Sequence, residues 1–262
     1  MTTQSTSLLN YQQLGQGKHV VLIHGLFGSL ENLNMVAKSL SQYYCVTSID
    51  VRNHGNSFHQ IGMDYQDLAQ DVITLLDYLS IESCHILGHS MGGKIAMQIA
   101  LSNSSRVKKL IVADIAPVEY PAHHLRIIKG LQSIKLDQIK KRKDADEQLA
   151  NYVENIGVRQ FLLRNLYVNK QDQFEFKCNL SNIEQGYQQI MKSGEYQKKQ
   201  TFSGDTLFIK GGNSDYILPE HQTIIGALFP KAKAKIIQGA GHWLHAEKTV
   251  AFNKIVIDFL AK

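Results

Sequence analysis

The sequence predicts an α/β domain built on a mostly parallel sheet and interrupted by a helical insertion. Three observations carry this. Short β-branched runs alternate with amphipathic stretches of helical length through the first 116 residues. Residues 117–200 are rich in Lys, Gln, Asp and Glu and hold no β-branched run. Strand character then returns and the chain closes on a helix, so residues 1–116 and 201–262 read as one discontinuous core with 117–200 inserted into it. Alternation of strand and helix favours parallel strands joined by right-handed crossovers.

Each element has its own signal. Residues 19–24 (HVVLIH) run without polar interruption, as a strand covered on both faces does. Residues 33–40 read as a helix and 44–50 (YCVTSID) as the next strand. Between 65 and 79, Leu68, Val72, Leu75, Leu76 and Leu79 recur at helical spacing. A short strand at 85–88 leads into a helix at 94–101, and 110–115 (LIVADI) is a further strand. Within the insertion, 146–156 and 158–166 have helical patterns. Strands follow at 206–210 (TLFIK) and 234–238 (AKIIQ), and a helix at 250–260.

Composition narrows the function. Of 262 residues, 44% are hydrophobic and 19% charged, which is enough apolar material for a core and too little charge for a disordered chain. The net charge of +5 is spread along the length, so no nucleic-acid face is expected. The basic run 140–143 (KKRK) meets Asp144, Asp146 and Glu147 at once and reads as a solvated, self-compensated helix face. Cys45, Cys84 and Cys178 are odd in number and far apart, which suits reduced thiols and neither a disulfide framework nor a zinc site. No apolar run nears the roughly 18 residues of a membrane span, and the first seven residues lack the pattern of a secretory leader. A cytoplasmic protein is expected.

The chemistry centres on Gly88-His89-Ser90-Met91-Gly92, a G-x-S-x-G between a strand and a helix. A sharp strand-to-helix turn crowds the positions two residues either side of its centre. Gly88 and Gly92 relieve that crowding, and Ser90 is presented above the sheet with a helix amino terminus beneath it. A serine hydroxyl needs a base. Of eleven histidines, His242 in Gly239-Ala-Gly-His-Trp243 stands in a glycine loop just past a strand, at the sheet edge where doubly wound folds bind ligands. His245 is its rival but falls in a helical turn, and no further ligand completes a metal site for the pair.

A carboxylate must orient the imidazole, and two compete: Asp114, ending the strand after that of Ser90, and Asp215, after the strand TLFIK. Both keep the chain order Ser, Asp, His. Two backbone donors are expected to receive an oxyanion, Met91 N–H and, from the turn His24-Gly25-Leu26-Phe27-Gly28, Leu26 N–H. Phe27, Ser214 and Trp243 are the expected pocket residues, with Leu26 beside them. The loop Asp50-Val-Arg-Asn-His-Gly55 is read as a structural one, held by an Asp50–Arg52 ion pair.

These segments, HGLFGSLENL, DVRNHGNS, LGHSMGGK, ADIAPVEY, IKGGNSDY and GAGHWLHAEK, resemble the α/β-hydrolase family over nearly the whole chain outside the insertion, and its YbfF-type bacterial esterases in particular. The resemblance implies a serine esterase or thioesterase acting on small-molecule acyl esters or acyl-CoA. It makes Ser90 the nucleophile, His242 the base and Asp114 the acid, offers Ser214 as a fourth contact to the histidine, and makes 117–200 a helical cap that selects substrate. No metal or organic cofactor is implied. Asp215, directly after GGNS, stands where many other members of the family keep their acid. Other hydrolase chemistry on the same machinery, carbon–carbon bond hydrolysis or perhydrolysis, differs only in substrate; a non-catalytic ligand-binding member would lack Ser90 or His242. Basic residues of the insertion (Lys129, Lys135 and 140–143) are candidates for the phosphates of CoA.

Overall fold

The computed structural model describes residues 7–194 and 200–262. Residues 1–6, read above as lacking a leader, and 195–199, near the end of the insertion, lie outside the described residues.

The apolar runs of the first half become, in chain order, β1 (Tyr11–Leu14), β2 (His19–Ile23), α1 (Asn34–Leu40), β3 (Cys45–Ile49), α2 (Tyr65–Tyr78), β4 (Cys84–His89), α3 (Met91–Ser102) and β5 (Val107–Ala113). Helix α2 starts where its spacing says it should, because the Asp64 side chain accepts the Asp67 N–H at 2.9 Å. The insertion follows with α4 (Leu125–Gln132), α5 (Arg142–Leu149), α6 (Ile156–Leu162), β6 (Leu166–Val168), β7 (Phe174–Phe176), α7 (Leu180–Gln185) and α8 (Tyr187–Met191). The core resumes with β8 (Asp205–Gly211), α9 (Gln222–Leu228), β9 (Ala232–Ile237), α10 (Leu244–Glu247) and α11 (Thr249–Leu260).

Among the described residues, seven strands form the central sheet in the order β1-β3-β2-β4-β5-β8-β9. All pairs are parallel except β1 with β3. Alternate side chains of the central strands go to opposite faces, and both faces are buried: Val21, Ile23, Ile86 and Val112 pack with α2 and α3, while Val20, Leu22, Leu87 and Ile111 pack with α1 and α11. This two-sided burial is why those strands lack polar alternation.

Three expectations are corrected. β1 was not foreseen, because Gln12 and Gln13 give an edge strand no apolar alternation. The insertion is not wholly helical: β6 and β7 pair antiparallel, Leu166 opposite Phe176. Its helices also shift. α5 begins at Arg142, since Asp144 accepts the N–H groups of Lys140 and Lys141 at 2.9 and 3.1 Å, and α6 begins at Ile156, capped by Asn155. Arg142 is accordingly not a purely solvated charge; it donates to the carbonyls of Leu163 and Leu166 at 2.8 Å each.

The loop after β3 is held differently from the expected Asp50–Arg52 pair. Arg52 reaches back to α2, where its Nε and Nη2 meet Asp71 at 2.5 and 2.7 Å. Asp50 instead accepts the backbone N–H groups of Leu30 and Asn56 at 2.7 and 2.9 Å and the Asn10 side chain at 2.7 Å. It thereby ties this loop to the turn after β2.

Candidate active site

The parallel strands deliver three loops to one edge of the sheet. Between β4 and α3, Ser90 adopts φ 54° and ψ −122°, a conformation that costs a non-glycine residue of order 1–3 kcal/mol and persists only where the surroundings enforce it. They do so here through neighbouring backbone. A Cβ on Gly88 would lie 2.0 Å from the Gly92 carbonyl oxygen, and one on Gly92 would lie 2.3 Å from that of Ile23. Ser90 N–H donates to Ala113 O at 3.0 Å, extending the β4–β5 ladder by one bond into the turn.

Asp114 follows β5 with φ 53°, its N–H on Ile209 O at 2.8 Å. Its carboxylate is fully buried. Oδ1 accepts Gly211 N–H at 2.9 Å, and Oδ2 accepts both the Ser214 hydroxyl and His242 Nδ1–H, the latter at 2.8 Å. His242 reaches this point on the loop after β9, whose Ala240 carbonyl accepts Asn213 N–H at 2.8 Å and whose Gly241 N–H bonds Glu247 at 2.6 Å. Its Nε2 lies 3.0 Å from Ser90 Oγ. With Nδ1 donating to the carboxylate, Nε2 is left to accept the serine proton.

Asp215, the other candidate acid, is exposed, and among the described residues no hydrogen bond joins it to His242. Ser214 is bonded to Asp114 and not to the histidine; it lines a second cavity, shared with Tyr216 and His242, and not the one above Ser90. His245 lies in α10 as the helical spacing indicates, buried beside His89 with ring centroids 4.5 Å apart. His89 is buried in turn, its Nε2 donating to the carbonyl of His242 at 2.8 Å, so the residue before Ser90 anchors the loop that carries His242. Among the described residues, no three His, Cys, Asp or Glu side chains are grouped to hold a metal ion.

The turn after β2 faces Ser90. Phe27 N–H donates to His54 Nε2 at 3.1 Å and Val51 N–H to His24 Nε2 at 3.0 Å, which requires both imidazoles neutral. Burial secures that state, lowering His24 and pushing His54 down to about 3. With Phe27 N–H engaged, Leu26 N–H and Met91 N–H are left; among the described residues neither has a protein acceptor.

Above the three loops is a partly open cavity of about 170 Å³ whose surface is mostly apolar. Leu26, Phe27 and Trp243 line it from the core side, and Val158, Phe161 and Leu162 from α6. Phe161 meets Trp243 with centroids 5.6 Å apart. His123 and His124, from the segment before α4, line it as well. Lys94, one turn into α3, is buried against the rings of Tyr65 and Tyr120 and donates to the carbonyls of Met191 and Lys192 at 3.1 and 2.5 Å. Burial pushes its ammonium down to about 7. Among the described residues, none of the basic residues of the insertion named for CoA phosphates lines this cavity.

Signals for Lys94, Tyr120, Tyr216 and Phe161 were absent from the sequence patterns, since each acts through a partner distant in the chain. Tyr216 is the second residue after Asn213-Ser214, and only the fold shows it stacked on His242.

The fold and this arrangement define a hydrolase of the α/β class. The family described as "alpha/beta hydrolase fold" matches residues 18–249, and the chain belongs to it. Within the family it is similar to esterases and lipases. It is 40% identical to a putative esterase/lipase of Haemophilus influenzae, over 98% of this chain and 89% of that protein. It is 40% identical to the sn-1-specific diacylglycerol lipase ABHD11 of Mus musculus, over 92% of this chain and 80% of that one, and 35% identical to esterase YbfF of Escherichia coli, over 95% and 96%. The solved structure of a marine microorganism esterase superposes with a TM-score of 0.93 at 38% identity, covering 97% of this chain and 99% of the other. The chain is therefore an enzyme, a hydrolase of the esterase/lipase kind. No helix among the described residues is long and apolar enough to cross a membrane.

Proposed function

We propose that this chain hydrolyses small acyl esters by two-step acyl transfer, with Ser90 as nucleophile, His242 as general base and Asp114 as the orienting acid. The observation that carries the proposal is the continuous hydrogen-bonded line from Asp114 Oδ2 through the imidazole to Ser90 Oγ, at 2.8 and 3.0 Å. As Oγ attacks the ester carbonyl, its proton passes to Nε2, and Asp114 stabilises the imidazolium without taking a proton itself. The carbonyl oxygen becomes an oxyanion that accepts from Leu26 N–H and Met91 N–H, donors already fixed in place and, at Met91, backed by the amino terminus of α3. Collapse expels the alcohol, which takes the proton from Nε2. Water, deprotonated by the same nitrogen, then attacks the acyl-enzyme, and the carboxylic acid and free Ser90 are released.

The apolar cavity suits the acyl chain, and residues 117–200 act as a cap whose α6 side chains bound it. The same steps cleave a thioester, so oxygen esters and acyl-CoA differ for this enzyme in leaving group and not in machinery. The test is a fluorophosphonate probe together with the Ser90→Ala variant and p-nitrophenyl butyrate. Labelling of the native enzyme, with loss of both labelling and turnover in Ser90→Ala, is expected. Turnover retained by Ser90→Ala removes the covalent mechanism.

A further inference from the structure

Proton transfer at Nε2 requires the His242 ring to keep one orientation. Its bonds to Asp114 and Ser90 run through the two ring nitrogens and fix the line that joins them. Neither stops the ring from rocking about the line between the two nitrogens. Tyr216 supplies that restraint: its ring lies against the imidazole with centroids 3.9 Å apart and planes only 20° from parallel. The neighbouring rings of His89 and Trp243 meet the imidazole at 42° and 66°, from 4.9 and 5.8 Å.

Tyr216 is itself tethered on both sides. Its N–H donates to Ser214 Oγ at 3.3 Å, and its carbonyl accepts the Tyr120 hydroxyl at 2.5 Å. The Tyr120 hydroxyl in turn accepts Ala116 N–H at 2.9 Å, two residues past Asp114. The stacked ring is thus built into the same framework as the acid.

We propose that Tyr216 is a positioning residue for His242, holding the imidazole in line between Asp114 and Ser90 and favouring it most when the ring carries its second proton. This rests on the reading of His242 as the base. The face of an aromatic ring attracts a cation, and the imidazole becomes one only as the Oγ–H bond breaks and the N–H bond forms. An interaction that strengthens at that moment lowers the barrier and leaves substrate affinity alone. The groups around His242 allow this. Besides the Asp114 carboxylate and the Ser90 hydroxyl, it is faced by His89 from β4, His123 and His124 from the segment before α4, and His245 from α10. Burial lowers all four histidines below the ordinary value, so at neutral pH they set no positive charge against the imidazolium.

The experiment compares Tyr216→Leu and Tyr216→Phe with the native enzyme, recording kcat, KM and the pH profile of kcat/KM on p-nitrophenyl butyrate. Tyr216→Leu is expected to lower kcat about 3- to 30-fold, with KM little changed and the acidic limb of the profile moved to lower pH. Tyr216→Phe, which keeps the ring and loses only the hydroxyl, is expected to retain native kcat and profile. Tyr216→Met, read the same way, stands in should the leucine variant not fold. A raised KM with unchanged kcat and profile makes Tyr216 a substrate contact and overturns the proposal, as does a phenylalanine variant as impaired as the leucine one. His242→Ala separates the two levels: native turnover in that variant removes the base assignment itself.

Discussion

Ser214 donates its hydroxyl to Asp114 Oδ2, the same oxygen that accepts His242 Nδ1–H. The serine of the GGNS segment therefore steadies Asp114, and reaches the histidine only through it. With Gly211 N–H on Oδ1, the buried carboxylate accepts three hydrogen bonds that hold its aim.

A graded series follows. Asp114→Asn removes the orienting acceptor and is expected to lower kcat by about 10⁴, because the imidazole adopts the wrong tautomer. Ser214→Ala removes one hydrogen bond to a charged group and is expected to lower kcat about tenfold. Asp215→Asn, at an exposed position, should stay within about twofold of native. Steady-state kinetics on one ester settle the order, and a collapse confined to Asp215→Asn would move the acid to the other loop.

The glycines of the elbow give a stability prediction. Gly92→Ala places a methyl 2.3 Å from the Ile23 carbonyl oxygen, where backbone must shift, and is expected to cost about 3 kcal/mol or more. Gly226→Ala serves as the contrast. It lies in α9 with open space around its Cβ position, and there the lower entropy of alanine should stabilise by about 0.5–1 kcal/mol. Urea midpoints for both variants measure the difference; equal midpoints would refute the crowding argument.

What the sequence disclosed and what it withheld divide along a physical line. The central strands, α2, the elbow and the glycine loop of His242 were legible because each is specified by a local pattern: unbroken apolar runs, helical spacing, or a turn that only glycine permits. The choice between Asp114 and Asp215 was not, because both end adjacent parallel strands at the same edge and only side-chain direction separates them. Arg52 was misassigned for a related reason. Its partner Asp71 is one helix away in sequence but in contact in space, whereas Asp50 is two residues away and occupied by three N–H donors. The hairpin β6–β7 escaped because its strands are three residues long, too short to show a period.

Lys94 predicts how stability depends on pH. Burial lowers it from the ordinary 10.5 to about 7, so between those values the unfolded chain holds a proton that the folded chain does not. Stability therefore rises with pH across that window, and below about pH 7 the cost of the buried charge is constant. Relative to Lys94→Met, which has no such proton and shares every other titrating group, the native enzyme is expected to gain about 2 kcal/mol between pH 6.5 and pH 9. Urea unfolding of both proteins at the two pH values checks it. An unchanged difference would mean that the ammonium is not desolvated at its post beneath Met191 and Lys192.

The contact between Phe161 and Trp243 is expected to limit how long an acyl chain the cavity accepts. Phe161 comes from α6 and Trp243 adjoins His242, and both line the cavity that Ser90 and His242 also line. Removing the phenylalanine ring extends the apolar space without touching Ser90, His242 or Asp114. Each methylene seated in an apolar pocket is worth about 1–3 kcal/mol, so a longer chain that gains room gains kcat/KM steeply. Phe161→Ala is expected to raise kcat/KM for octanoyl and decanoyl p-nitrophenyl esters at least about tenfold relative to the acetyl ester. Short esters should bind more weakly, because they no longer fill the space above the nucleophile. The ratio of kcat/KM values along the series, two to ten carbons, measures this. An unaltered ratio would place the limit on chain length elsewhere in the cavity wall.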